Sequence, residues 1–262
     1  MPTMTQHFHG TFCWPELVTT DQQTAKAFYA QVFGWTSRDA PMDAGHVYTT
    51  FLKRDLEVAA ATRLRPVLQK HGVAPSWTCY VAVSSVDACA SRVRDLGGFV
   101  VTEPVDVMDA GRMAVIRDPT GATVSLWEAR QHIGAKLVSE PGSLTWCELS
   151  TRDPEVAGKF YCNLFGWQLG KTYKTAFKHT YLHLGEQPVA GMVKIETGGV
   201  PPSWMPFFEV RSVDAAFFVA TEGDDVKLRA RMLAKDHDIP DLGRFAILAD
   251  PQGAQFGILR PG

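Results

Sequence analysis

The chain has 262 residues, 45% of them hydrophobic and 21% charged, with a formal net charge of −2. These proportions suit a globular protein of one or two domains with a sizeable core. The mixed, near-neutral charge argues against nucleic acid as a partner, which favours a basic face, and no uninterrupted apolar stretch of about 18 residues exists to cross a membrane. Five scattered cysteines, Cys13, Cys79, Cys89, Cys147 and Cys162, point to reduced thiols in a cytoplasm rather than a disulfide framework. No basic region followed by an apolar run marks a signal peptide.

The first expected element is a strand over Thr11 to Val18. A helix follows, with Asp21 as its N-cap, Ala25, Phe28, Tyr29, Val32 and Phe33 at helical spacing, and Gly34 as its left-handed stop. Strand-like runs cover His46 to Leu52 and Glu57 to Ala61. Another strand leaves Trp77, a second helix reads Asp87 to Leu96, and two strands flank the turn Asp118-Pro119-x-Gly121. The same order then returns. Trp146, Glu148 and Asp153 match Trp14, Glu16 and Asp21, and Phe160-Tyr161 and Phe165-Gly166-Trp167 match Phe28-Tyr29 and Phe33-Gly34-Trp35, each at an offset of 132 residues. Asp250-Pro251-x-Gly253 closes the second copy at that offset, whereas Trp204 follows Trp77 by 127, so the middle of the second copy is five residues shorter. A period this long marks a duplicated domain-sized module, not a solenoid.

Strand, capping Asp, helix with Phe-Tyr and Phe-Gly-Trp, and a closing Asp-Pro-x-Gly turn, all in two copies, resemble the vicinal oxygen chelate superfamily of glyoxalase I, bleomycin-resistance proteins and extradiol dioxygenases. Tandem-module bacterial proteins described as glyoxalase-like are the most similar subgroup. The resemblance implies an α+β fold of two tandem glyoxalase-like modules, each of paired βαβββ units whose curled mixed sheet forms a cup. The expected boundaries are 8–130 for the first module, 131–142 for a linker and 143–262 for the second.

Metal-binding relatives place His or Glu at inward positions of each cup. Counted from the capping Asp, the pre-helix strand and the Asp-Pro-x-Gly turn, those positions here are Trp14, Thr78 and Ser125, and Trp146, Met205 and Gly257. None is a His, Asp, Glu or Cys, the donors a divalent ion needs. No inherited metal site and no cofactor are therefore expected. A rebuilt site from His183, Glu148 and Glu209 is the alternative; His179 and His183 lie about 13 Å apart along a strand and could not share one ion.

Strand alternation instead puts aromatic walls in the cups. Trp14, Tyr80, Ser125, Trp127, Trp146, Phe207 and Glu209 are the expected ligand-binding residues. Such a lining suits a small molecule of aromatic or cationic character. Glu16 and Glu148, inward and partly desolvated, are the candidate catalytic bases; the competing reading is that each accepts hydrogen bonds and ties its module together. Two functions follow as expectations: a metal-independent small-molecule binder, as monomer or homodimer, or a lyase, isomerase or oxygenase-like enzyme acting through Glu16 or Glu148 as general base or through a rebuilt metal site in the second module.

Overall fold

The computed structural model describes residues 3–42, 46–174, 178–196, 200–239 and 242–262. The first half of the chain runs β1 (Phe12–Thr19), α1 (Gln22–Phe33), β2 (Thr36–Pro41), β3 (Val47–Lys53), β4 (Leu56–Arg63), a short α2 (Pro66–Lys70), β5 (Ser76–Ala82), α3 (Val86–Asp95), β6 (Phe99–Val107), β7 (Gly111–Arg117) and β8 (Thr123–Ala129). The second half repeats it as β9 (Leu144–Thr151), α4 (Pro154–Phe165), β10 (Gln168–Lys174), β11 (Lys178–Leu184), β12 (Gln187–Lys194), β13 (Ser203–Glu209), α5 (Val213–Glu222), β14 (Arg231–Ile239), β15 (Gly243–Ala249) and β16 (Gln255–Pro261).

Each half is one eight-stranded sheet, ordered β2-β3-β4-β1-β5-β8-β7-β6 and β10-β11-β12-β9-β13-β16-β15-β14. Two βαβββ units therefore meet at an antiparallel seam, β1 with β5 and β9 with β13. Within each unit the first strand pairs in parallel with the last, which requires the helical crossover. The sheets are open, as a cup requires.

The capping chemistry is as the residues dictate. Asp21 accepts from the amides of Gln23 and Thr24, and Asp153 from those of Glu155 and Val156. Gly34 and Gly166 end their helices at φ 66° and 76°, where a β-carbon is strained. The edge strands β2, β6, β10 and β14 had no clear counterpart in the hydropathy pattern. Residues 36–41 are all exposed, so nothing selects alternation, and β6 carries Pro104.

The sheets pack through their helix-covered faces, and neither core belongs to one module. One core joins Leu17, Phe28, Tyr29 and Trp77 to Phe208, Val213, Phe256 and Ile258. The other joins Cys79, Val86, Ile116 and Leu126 to Cys147, Phe160, Tyr161 and Trp204. At the centre of the first, Trp77 Nε1 donates to the Tyr29 hydroxyl (2.9 Å), which donates to Asp250 Oδ2 (3.0 Å) in the other module's Asp-Pro-x-Gly turn. The duplicate places Trp204 Nε1 on the Tyr161 hydroxyl (2.8 Å), with Asp118 facing that hydroxyl. The repeated Phe-Tyr and Asp-Pro-x-Gly motifs thus meet each other across the module boundary. Tyr29→Phe leaves a buried indole N–H and a buried carboxylate oxygen short of a partner; a loss of about 1–3 kcal/mol is expected, measured as a lower denaturation midpoint, and an unchanged midpoint would contradict the interlock.

The expected linker is part of the first module's wall. Ala135 N donates to Cys13 O and Lys136 N to Glu57 O, both at 2.7 Å. Gly134 sits at φ +103° so close to the Cys13 carbonyl that no β-carbon fits. The N-terminal segment packs here too: Met4 N donates to Lys136 O, and His7 Nε2 lies 2.8 Å from Ala135 O.

Candidate functional site

In the first cup the register sets Trp14 beside Tyr80, Tyr80 beside Ser125, and Ala82 beside Trp127. Glu16 lies in the next row, between Ala60 and Thr78. Trp14, Glu16, Tyr80, Ser125 and Trp127 therefore share one face. Trp14, Tyr80 and Trp127 are each under a tenth exposed, so they form a packed floor rather than an open wall. Reachable surface remains on Glu16, Val18, Tyr48, Thr62 and Thr78.

Glu16 has the most developed surroundings. The Tyr80 hydroxyl donates to Oε2 and the Thr62 hydroxyl to Oε1, each at 3.2 Å. Tyr48 also donates to it and in turn accepts from Trp14 Nε1 (3.2 Å). Protein atoms crowd the carboxyl from every side, and this desolvation pushes its pKa up; the hydroxyls of Tyr80, Thr62 and Tyr48 and the nearby His132 pull it back only in part. Burial and the Glu16 charge push both Tyr48 and Tyr80 well above the usual phenol value.

His132, which the sequence placed in a linker, closes this cup. Its carbonyl accepts from Trp127 Nε1 (2.8 Å). Its ring stands edge-on to Trp14, centroids 4.7 Å apart. Nδ1 lies 3.6 Å from Glu57 Oε2, and Nε2 is buried with no hydrogen-bond partner among the described residues. His132 and then Lys136 hold the Glu57 carboxyl down, to about 2.

The second cup has the same backbone and different chemistry. Glu148 is 6% exposed. Its Oε2 accepts from Trp146 Nε1 (2.9 Å) and lies 3.0 Å from His179 Nε2. Gly191 makes this pair possible, because a β-carbon there would collide with both Glu148 Oε2 and His179 Nε2. By register His179 replaces Tyr48, Phe207 replaces Tyr80, Gly257 replaces Ser125, Leu259 replaces Trp127, Val193 replaces Thr62 and Met205 replaces Thr78. The Phe207 ring fills the space over Gly257. Trp146 and Phe207 are under a tenth exposed. Glu209 pairs with Leu259 at the end of β13 and also lines a recess between the modules.

The positions assigned to metal ligands do not fit a divalent ion. Trp146, Met205 and Gly257 offer no charged donor, and Trp14, Thr78 and Ser125 offer two neutral hydroxyls. The alternative set of His183, Glu148 and Glu209 does not assemble: among the described residues no group of three or more His, Cys, Asp or Glu could hold a metal. His179, not His183, stands beside Glu148, while His183 turns against Gly170 of β10.

Two stability outcomes follow. The folded pKa of Glu16 lies above its unfolded value near about 4.3. Its contribution is therefore full below that pH and is lost as pH rises through the folded pKa. Glu16→Gln is expected to raise the thermal midpoint at pH 8 and to leave it nearly unchanged at pH 4; a lower midpoint at pH 8 would mean that the charged carboxylate is a structural tie. Gly191→Ala is expected to destabilise by about 1–3 kcal/mol through overpacking, and full parental stability in urea titration would contradict the close approach seen there.

The profile described as "Glyoxalase/Bleomycin resistance protein/Dioxygenase superfamily" matches residues 9–126. Over 262 residues the chain is 39% identical to "Putative glyoxylase CFP32" of Mycobacterium tuberculosis, covering all of this chain and 98% of that protein. It is 34% identical to "Anthracycline biosynthesis protein DnrV" of Streptomyces peucetius, covering 98% of this chain and 95% of that protein. Among solved structures it is similar to the 2,3-dioxygenase LapB from Pseudomonas sp. KL28, with a TM-score of 0.67 at 14% identity over 98% of this chain and 94% of that one. The Mn(II)-bound glyoxalase from Novosphingobium aromaticivorans gives 0.62 at 17% identity over 95% and 82%. At such identities the structural likeness speaks to the fold alone.

Proposed function

The chain belongs to the glyoxalase/bleomycin resistance protein/dioxygenase superfamily, and from that premise we propose that its first cup binds a flat aromatic small molecule without a metal, with Glu16 as the polar anchor. The observation that carries this reading is the asymmetry of the cups. Glu16, Tyr48, Thr62, Thr78, Tyr80 and Ser125 give the first cup a set of polar groups on an aromatic floor. At the matching positions the second has Glu148, committed to Trp146 and His179, and apolar or absent side chains at Val193, Met205, Phe207 and Gly257. An apolar surface with a few convergent polar groups is how small-molecule sites are built. Tyr48 and Val18 offer surface for stacking, and Glu16 can accept from a phenol or a protonated amine. The name of the Streptomyces relative, which places it in anthracycline biosynthesis, supports fused planar rings as the ligand class. Five free thiols support a reducing compartment such as the cytoplasm. No helix among the described residues is long and apolar enough to cross a membrane.

A second reading, proton abstraction by Glu16 in a lyase, isomerase or oxygenase-like reaction, is favoured by the raised pKa of its carboxyl on a residue that keeps some exposed surface. Glu16→Gln separates the two, because it removes the base while keeping a hydrogen-bonding group.

A planar dihydroxyanthraquinone is a suitable probe, followed by quenching of tryptophan fluorescence. Saturable quenching is expected, weakened about tenfold, or about 1.4 kcal/mol, by Glu16→Gln and less by Thr62→Val. Absence of saturation, or equal affinity of the Glu16 variant, would overturn the reading. Elemental mass spectrometry on protein purified without tag or chelator is expected to find no stoichiometric zinc, iron, manganese or nickel; one equivalent of any would contradict the metal-free site.

A further inference from the structure

The duplication supplies an internal control for a feature outside both cups. Helix α1 packs on α5, and α4 packs on α3, as pseudo-symmetric pairs. On the α3–α4 side the end of the groove at the C-terminus of α4 is plugged, and a recess of about 380 Å³ opens instead toward Asp95, Pro119 and Val156. Arg92 donates from one guanidinium nitrogen to Leu164 O (3.3 Å) and from the other to Asn163 O, so its cation covers the carbonyl end of α4. At the offset of 127 residues that relates these segments, the α5 counterpart of Arg92 is Val219. Val219 is too short to reach across and carries no charge.

The α1–α5 side therefore keeps a recess of about 410 Å³. Val32, Phe33 and Val219 line its apolar part, and Lys53, Arg211 and Glu209 bring charge to it. None of the three charged positions is matched on the plugged side. Register and offset place Leu184, Ser84 and Ala82 there instead, and Leu184 packs against the core. The two repeats have thus diverged at Lys53, Glu209, Arg211 and Val219 together, all lining one cavity.

The electrostatics are positive at one end. Lys53 Nζ donates to Phe33 O (2.6 Å), which fixes the ammonium at the end of α1. Arg211 makes no ion pair among the described residues. Burial, and then repulsion from Arg54 and Arg211, lowers the Lys53 pKa, so an anion nearby would relieve an existing cost. Glu209 lines the same recess, and burial raises its pKa.

We propose that this recess is a second small-molecule site for an amphiphilic carboxylate, its apolar tail against Val32, Phe33 and Val219 and its carboxylate toward Lys53 and Arg211. The site is independent of the first-cup ligand. An alkyl chain, rather than a flat ring, suits a wall made of aliphatic side chains and one Phe.

The test is calorimetric titration of the full chain with hexanoate, and with hexanol as the uncharged control. Hexanoate is expected to bind saturably and hexanol at least about tenfold more weakly, since a charge-assisted contact is lost. Val219→Arg rebuilds the plug of the other side and is expected to abolish hexanoate binding while leaving dihydroxyanthraquinone quenching unchanged. Arg211→Gln, on an exposed side chain, is expected to weaken hexanoate severalfold with an unaltered melting temperature. Equal affinity for hexanoate and hexanol would overturn the proposal. So would hexanoate affinity indifferent to both variants, or affinity lost on Glu16→Gln, which would put the carboxylate in the first cup.

Discussion

The interlock of Tyr29 with Asp250, and of Tyr161 with the turn of Asp118, is the constraint on which the rest of the molecule depends. Each tyrosine comes from the first helix of one module and reaches the Asp-Pro-x-Gly turn of the other. The tryptophans of the Phe-Gly-Trp motifs reinforce the joint: Trp35 Nε1 donates to Gly142 O and Trp167 Nε1 to Gly10 O, at 2.7 and 2.8 Å. Both hydrophobic cores are assembled from halves of different modules, so neither half has a complete core alone. The helix-covered faces are consumed in this joint. Apart from the recess between α1 and α5, the concave faces of the two sheets are what remains for a ligand.

With the backs locked by symmetry, the cups were free to diverge. Their backbones keep the same register, and both keep a Trp and a Glu on the first strand. Around Glu16 the neighbours are hydroxyls, which can serve a ligand as readily as the carboxylate. Around Glu148 the neighbours are an indole and an imidazole in a space so tight that only glycine fits opposite. One glutamate is half-buried with its carboxylate disfavoured by its site; the other is a buried tie. The same residue at the same place in a repeat thus takes opposite roles, decided by the residues on adjoining strands.

Much of this was legible in the sequence. The repeat, the capping aspartates, the stop glycines and the inward face of β1 follow from spacing and strand alternation. The edge strands did not, because an exposed strand such as residues 36–41 carries no burial pattern. Tyr48 and His179 were missed as partners of the glutamates because cross-strand neighbours depend on register, which the sequence of one strand does not encode. His132 was missed for a different reason. It lies in a Gly- and Pro-flanked connection that reads as a linker, and its position over Trp14 comes from the backbone bonds of Ala135 and Lys136. Glu209, assigned to the second cup by alternation, pairs with Leu259 there, and because the strand ends at Glu209 it also borders the recess between the modules, which one strand's pattern does not reveal.

The most direct test of the asymmetry is a crystal structure of the protein with a planar dihydroxyanthraquinone bound. The rings are expected against Tyr48 and Val18 of the first cup, with a ligand oxygen within hydrogen-bonding distance of Glu16 and the second cup unchanged. A ligand beside Glu148 and His179 instead, with the first cup still filled by its own side chains, would contradict the assignment of function to the first cup.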